Sequence, residues 1–97
     1  MLTEHLEAFY ERKGIIKSME ISVKLLATYR DKLPPNSHNN TCLIVVPDGT
    51  TLRQVVESFD VACDDHNVIL INGRVTEPDQ QLQSGDAVCV FPALAGG

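Results

Sequence analysis

Thr51-Leu52-Arg53-Gln54-Val55-Val56-Glu57-Ser58-Phe59 carries the clearest helical signal in the chain. Leu52, Val55, Val56 and Phe59 recur at i, i+3, i+4 and i+7, which places four apolar side chains on one face. Thr51 precedes Gln54 by the three residues of a capping box. The segments around this helix have a different period. Upstream, Ile21, Val23 and Leu25 alternate with Ser22, Lys24 and Leu26, so residues 20–27 read as a half-buried strand. Thr41 to Val46 is a second β-rich run, closed by Pro47-Asp48-Gly49, whose proline and glycine end pairing in a turn. Between them, residues 28–40 hold Pro34-Pro35 and a run of Asn, Ser and His; they offer almost nothing to bury and read as a loop joining a hairpin. Downstream, the polar stretch 60–67 breaks the helical period. Val68 to Ile71 is then a short continuous apolar run that suits a central buried strand, and Asn72-Gly73 turns it back through Arg74 and Val75. Ser84-Gly85-Asp86 forms another turn and leads into the last strand, Ala87 to Phe91.

The order strand, strand, helix, strand, short strand, strand predicts an α+β fold. One main helix covers one face of a mixed sheet, which is the β-grasp (ubiquitin-like) arrangement. At 97 residues there is room for one such domain, assigned to residues 19–97, and a chain of this length buries about 65% of its unfolded surface. With no Trp and few aromatics, the core is built from Val, Leu and Ile. Residues 1–18 form an N-terminal extension. Within it Leu2, Leu6, Phe9 and Tyr10 fall on one stripe, Thr3 is a candidate N-cap and Gly14 a stop, so the spacing predicts a short amphipathic helix over 2–13. Its stripe calls for burial on its own domain, on a partner or on another copy; the remaining reading is a disordered extension. Burial on its own domain is the favoured reading.

The charge balance, 8 Lys+Arg against 13 Asp+Glu for a net −5, disfavours phosphate backbones and anionic membranes as partners. The asymmetry sits in the body: residues 1–18 are balanced, whereas residues 19–97 carry the whole excess of acid. No apolar run approaches the ~18 residues that span a bilayer and no signal-peptide order opens the chain, so a cytoplasmic location is expected. Three cysteines do not make a disulfide framework, and Cys42 and Cys89 sit within apolar runs as small hydrophobes. His38 and Cys42 with Cys63 and His66 could be drawn as a zinc set, but structural zinc sites rarely take a ligand from mid-strand, so no metal site is assigned. Adjacent Asp64 and Asp65 read as solvated surface. With no Gly-rich phosphate loop and no Ser or Cys beside an evident base, no catalytic residue is assigned.

After Phe91 and Pro92 the chain runs Ala93, Leu94, Ala95, Gly96, Gly97, without charge. Proline's fixed φ and missing N–H are expected to end sheet pairing there, leaving a flexible tail over 92–97. A terminal Gly-Gly arises by chance in roughly 0.5% of chains at ~7% glycine usage, so alone it says little. Joined to the strand pattern it resembles a known family. Ile71-Asn72-Gly73-Arg74, Leu82 with Gly85-Asp86, and above all Val90-Phe91-Pro92-Ala93-Leu94-Ala95-Gly96-Gly97 resemble the MoaD/ThiS sulfur carriers, over Met19 to Gly97. That family comprises the small subunit of molybdopterin synthase and the thiamine-pathway carrier. The Phe-Pro step and the length from Met19 are closer to the molybdopterin branch. Ala93 and Leu94 stand where that branch more often shows Pro and Val, which leaves tungsten-associated and other carriers open, and the first 18 residues are outside the family pattern, making Met19 a second candidate start.

The resemblance implies a carrier rather than an enzyme. A partner adenylating (E1-like) enzyme would use ATP to turn the Gly97 carboxylate into an acyl-adenylate. A sulfur donor protein would convert this to a thiocarboxylate, and the tail, Pro92 to Gly97, would enter the active site of a catalytic large subunit of molybdopterin synthase. No stably bound cofactor is implied. Glycine suits the terminal positions because, lacking Cβ, it lets extended backbone enter a narrow site. Leu94 and Phe91 are candidate apolar contacts for the partner, with core burial an equal reading for Phe91. Two rival functions use the same features: a ubiquitin-like protein modifier joined through Gly97 to lysines, and a non-covalent interaction module in which the diglycine is incidental.

Overall fold

The period-two alternation of the first strand is realised side chain by side chain. In the computed structural model, which describes residues 17–93, β1 (Ser18–Leu25) turns Met19, Ile21, Val23 and Leu25 inward, all nearly fully buried. The helix expected over 2–13 lies outside the described residues, as do Leu94 to Gly97. β1 pairs antiparallel with β2 (Thr41–Pro47), from Ser18 opposite Pro47 to Lys24 opposite Thr41. The helix α1 (Leu52–Ser58) follows, then β3 (Asn67–Ile71), β4 (Arg74–Val75) and β5 (Ala87–Pro92). β5 lies parallel to β1 and antiparallel to β3, giving the sheet order β2-β1-β5-β3-β4. Leu52, Val55 and Val56 of α1 belong to one core cluster with Ile21, Val23, Leu25, Val88 and Val90. At about 25 cal/mol per Å² of apolar surface, this covered face is the main stabilising term.

Local signals hold where chemistry specifies them. Gln54 N donates to Thr51 Oγ1 at 3.3 Å and Thr51 N to Gln54 Oε1 at 2.9 Å, completing the capping box. Asn72 and Gly73 both have positive φ, 53° and 84°, as a two-residue hairpin turn requires. The turn before β5 uses Gly85 at φ 90°.

Three expectations are corrected. The first strand spans Ser18–Leu25 rather than 20–27, because Ala27 adopts φ 56° and opens a 3-10 helix, Ala27–Lys32, inside the stretch read as a loop. That stretch also contributes apolar cover, since Tyr29 and Leu33 pack against the core. Val68 to Ile71 is not the central strand. β5 takes the centre, between β1 and β3, while β3 has only two-residue β4 on its other side, so Val68, Ile69 and Leu70 stay half-buried and Ile71 alone is buried. Finally, Pro92 does not end the sheet. β5 includes it, opposite Asn67, and Ala93 N donates to His66 O at 2.8 Å.

The motif residues 71–74 and 85–86 form a latch at the start of the central strand. Asn72 N donates to Ala87 O at 2.8 Å and Ala87 N to Asn72 Oδ1 at 2.9 Å. Asn72 Nδ2 reaches Asp86 Oδ1 at 3.0 Å, while Asp86 Oδ2 accepts Gln83 N at 2.8 Å. One amide and one carboxylate thus join the β3–β4 turn to the turn that launches β5. Replacing Asn72 with Ala removes its two side-chain bonds, from Ala87 N and to Asp86 Oδ1, and leaves a β-carbon residue at positive φ, so N72A is expected to lose about 1–3 kcal/mol of stability, read as a lower urea midpoint at unchanged slope. Thr51→Ala, which removes the cap, is expected to lose about 1 kcal/mol in the same measurement.

Candidate functional site

The C-terminal arm follows the middle strand of the sheet. Val88 and Val90 of β5 are buried, and the strand is flanked by β1 and β3 on its two edges. Pairing with β1 stops at Leu25 opposite Val90, after which Leu26 N donates to Val90 O at 3.0 Å. Successive N–H groups of a strand point to opposite edges. Since Ala93 donates toward β3, the nitrogen of Pro92 is turned to the β1 side, which β1 has already left. A proline there forfeits no ladder bond. It fixes φ at the last paired residues, and Ala93 is the last described residue before Leu94.

The partner strand at this root is itself braced. His66 and Asn67 follow a turn in which Asp64 Oδ1 accepts His66 N at 2.9 Å and Asp64 O accepts Asn67 N at 3.1 Å. Asn67 Nδ2 donates to Ala62 O at 2.6 Å, and Tyr29 of the 3-10 helix donates its hydroxyl to Asn67 Oδ1. Asp64 is therefore a turn-forming carboxylate. Tyr29 and Asn67 support the arm without having been singled out by sequence reasoning, and His66, weighed there only as a zinc ligand, does so through its carbonyl. A hydrogen bond between residues 38 apart leaves no local signal in the sequence.

The uncovered face of the sheet is polar along β1 and apolar on both sides of it, with β2 turning out Leu43, 67% exposed, and Val45. Along β1 the outward positions are Ser18, Glu20, Ser22 and Lys24, the polar row expected of a face left to water. The neighbouring strands break that rule. β5 turns out Ala87, Cys89 and Phe91, β3 turns out Val68 and Leu70, and β4 turns out Val75. Register places Val68 beside Phe91 and Leu70 between Cys89 and Val75. Val75 is 82% exposed. Phe91, read equally as core or as contact, is half-buried on this outward face, directly before Pro92. An apolar patch over three strands thus leads to the root of the arm, the form of a docking surface.

The cysteines do not form an activated nucleophile set. All three are free, and burial pushes the thiols of Cys42, Cys63 and Cys89 up, against thiolate formation. His38 and Cys42 line a hollow beside β2, whereas Cys63 lines another beside β3 and β4; among the described residues no three His, Cys, Asp or Glu side chains gather into a metal-binding group. No helix among them is long and apolar enough to cross a membrane. The ion pairs are exposed, as between Arg53 Nε and Asp79 Oδ1 at 3.3 Å or Lys32 Nζ and Asp60 Oδ2 at 3.6 Å, and pairs of this kind stabilise little.

If the patch is held out by strand alternation rather than by tight packing, a charge at its most exposed position leaves the fold intact. Val75→Asp is expected to unfold within about 0.5 kcal/mol of the parent; a markedly lower urea midpoint would instead place Val75 in the core.

Comparison with solved structures supports the architecture. The solution structure of the Haloferax volcanii HVO 2177 protein aligns at a TM-score of 0.68 and 27% identity, covering 82% of this chain and 88% of that one. A putative molybdopterin converting factor, subunit 1, from Pyrococcus furiosus aligns at 0.61 and 23% identity, covering 78% of this chain and 99% of that one. SAMP1 from Haloferax volcanii aligns at 0.63 and 20% identity, with 80% and 99% covered. These likenesses establish a β-grasp, ubiquitin-like fold. No curated protein sequence matches the chain. The family described as the ThiS family matches residues 23–97, from mid-β1 through the diglycine, and the chain belongs to the ThiS family.

Proposed function

We propose that the chain is a sulfur carrier whose Gly97 carboxylate is activated by an E1-like adenylating enzyme and converted to a thiocarboxylate. The observation that supports this most directly is the rooting of the diglycine arm at the end of the central strand, beside an apolar docking patch, in a ThiS-family fold. In the first step a Gly97 carboxylate oxygen attacks the α-phosphorus of ATP and pyrophosphate leaves. In the second, hydrosulfide attacks the acyl carbon, AMP leaves with the bonding pair of the C–O bond, and the thiol proton passes to solvent; a donor-protein persulfide would instead give an acyl disulfide, from which a second thiol releases the thiocarboxylate by forming a disulfide with the donor. The carrier contributes the acyl group and its presentation; the partner supplies the catalysis. Phe91 and its neighbours would seat the partner, while Pro92, Ala93, Leu94, Ala95, Gly96 and Gly97 would reach into its site.

The end product we favour is a molybdopterin-type cofactor, with the catalytic large subunit of molybdopterin synthase receiving the tail. The Phe91-Pro92 step and the likeness to a putative molybdopterin converting factor subunit support that branch. Likeness to SAMP1, a small archaeal modifier protein, supports a second reading in which a lysine amine displaces AMP to form an isopeptide bond. The two share their first step and diverge at the nucleophile.

Incubation with ATP, the adenylating enzyme of the same cell and sulfide is expected to raise the intact mass by about 16 Da, oxygen replaced by sulfur, and removal of Gly97 is expected to abolish the gain. Conjugates to lysines of other proteins without any thiocarboxylate would favour the modifier. Unchanged mass with every adenylating enzyme of that cell would overturn both acyl readings.

A further inference from the structure

β2 stands at one end of the sheet, and its register shows which of its peptide groups face outward. Ser22 N donates to Asp86 O at 3.0 Å and Glu20 O accepts Gly85 N at 2.8 Å, so the peptide groups of Ser22 and Glu20 face β5. Their opposites on β2 are Leu43 and Val45. Pairs along an antiparallel ladder alternate between bonded and non-bonded, so the N–H and C=O groups of Leu43 and Val45 point away from β1. The outward groups on either side of this pair are already taken. Thr41 O accepts His38 N and Thr41 N donates to His38 O, both at 2.9 Å, across a turn in which Asn39 and Asn40 have positive φ, 53° and 60°. Pro47 has no N–H, and its carbonyl accepts Thr50 N at 3.2 Å and Thr50 Oγ1 at 2.6 Å. Among the described residues, nothing pairs with the outward groups of Leu43 and Val45.

Exposed edges are commonly guarded by lysine, proline or a bulge. Thr41-Cys42-Leu43-Ile44-Val45-Val46 holds no charge and no proline, and its register against β1 is unbroken. Leu43 is 67% exposed on the open face, while Ile44 and Val46 are half-buried on the covered face, so an added strand would meet apolar neighbours on both of its faces. At the Leu43 end, Pro34, Asn36 and His38 wall a hollow of about 440 Å³.

A second copy of the chain is a poor match for this edge. To fill every outward group, Leu43 of one copy must face Val45 of the other, and the second copy's Val46 and Pro47 would then run where Ser37 and His38 lie, beside Cys42 and Thr41. Centring the pair on Val45 instead sets the Leu43 carbonyl against Pro47, which has no donor. A separate extended segment of about five residues meets neither obstacle, since two alternate residues suffice to bond Leu43 and Val45.

We propose that the outer edge of β2 is a strand-addition site for a short, uncharged, apolar extended segment of a partner protein, with one side chain of that segment seated in the hollow beside Leu43. Because β1 separates β2 from β5, the segment leaves the arm and the patch beside Phe91 accessible. The site does not depend on sulfur chemistry.

The test uses the full chain, labelled with ¹⁵N, and the acetylated and amidated peptide Lys-Val-Thr-Val-Thr-Val-Lys. Amide shifts are expected at Leu43 and Val45. With peptide at ten times its Kd, hydrogen exchange of those two amides is expected to slow about tenfold while that of Ile44, already bonded to β1, is unchanged. The same peptide N-methylated throughout is expected not to bind. No shift at Leu43 and Val45 up to about 5 mM peptide, or equal binding by the N-methylated peptide, would overturn the proposal. Slow exchange of both amides in the dilute chain without peptide would overturn it in favour of another segment of the same chain, and protection that grows with protein concentration in favour of a second copy. No ATP, sulfur or activating enzyme enters this assay, so its failure is distinct from failure of the carrier reading, which the mass measurement tests.

Discussion

The parallel pairing of β1 with β5 is the constraint on which the rest of the molecule depends. Ser22 to Leu25 lie beside Ala87 to Val90, so the first and last described strands are neighbours at the centre of the sheet. A parallel pair cannot be closed by a tight turn and needs a crossover connection. Here everything from the 3-10 helix to the latch, residues 26–86, serves as that connection, and α1 within it covers the face on which Val23 and Val88 meet. The pairing also decides where the arm begins. A C-terminus on an edge strand would leave from the periphery; this one follows the middle strand, whose described bonds extend to Ala93, with its proline turned to the edge that β1 has left.

The two ends of β5 carry the residues that mark the sequence. At its start, Asn72 and Asp86 bind two turns together and fix the register of the strand against β3. At its other end, Asp64, Asn67 and Tyr29 fix the strand that holds Ala93. The motif around Asn72 is thus scaffold chemistry acting at a distance from the arm. Its contribution is to hold β5 in one register, since a slip of one residue would exchange Val88 and Val90 for Cys89 and Phe91 at the core.

Legibility followed the range of the interactions. Capping by Thr51 and Gln54, the positive-φ turn at Asn72-Gly73 and the alternation of Ile21, Val23 and Leu25 are short-range, and the structure reproduces each. Strand order is a long-range property: the uniform apolarity of Val68 to Ile71 resembles a central strand, yet its position beside two-residue β4 leaves most of it half-buried. Ala27 at positive φ and the Tyr29–Asn67 bond had no marker in the sequence. Pro92 was read from its missing donor, correctly as chemistry, but which edge that nitrogen faces depends on where β1 ends. The candidate arm, Pro92 to Gly97, is legible through family resemblance joined to the strand pattern, and the apolar patch emerges only when register puts Val68, Leu70, Val75, Cys89 and Phe91 on one surface.

The account separates recognition, assigned to the sheet face, from chemistry, assigned to the terminal glycine. Calorimetric titration of the adenylating enzyme with Val75→Asp and, separately, with a chain lacking Gly96-Gly97 tests that division most directly. The prediction is that Val75→Asp weakens binding by about tenfold or more, while the truncated chain binds within a few-fold of the parent but forms no adenylate. Full binding by Val75→Asp together with loss of binding on truncation would contradict it, placing recognition in the arm alone.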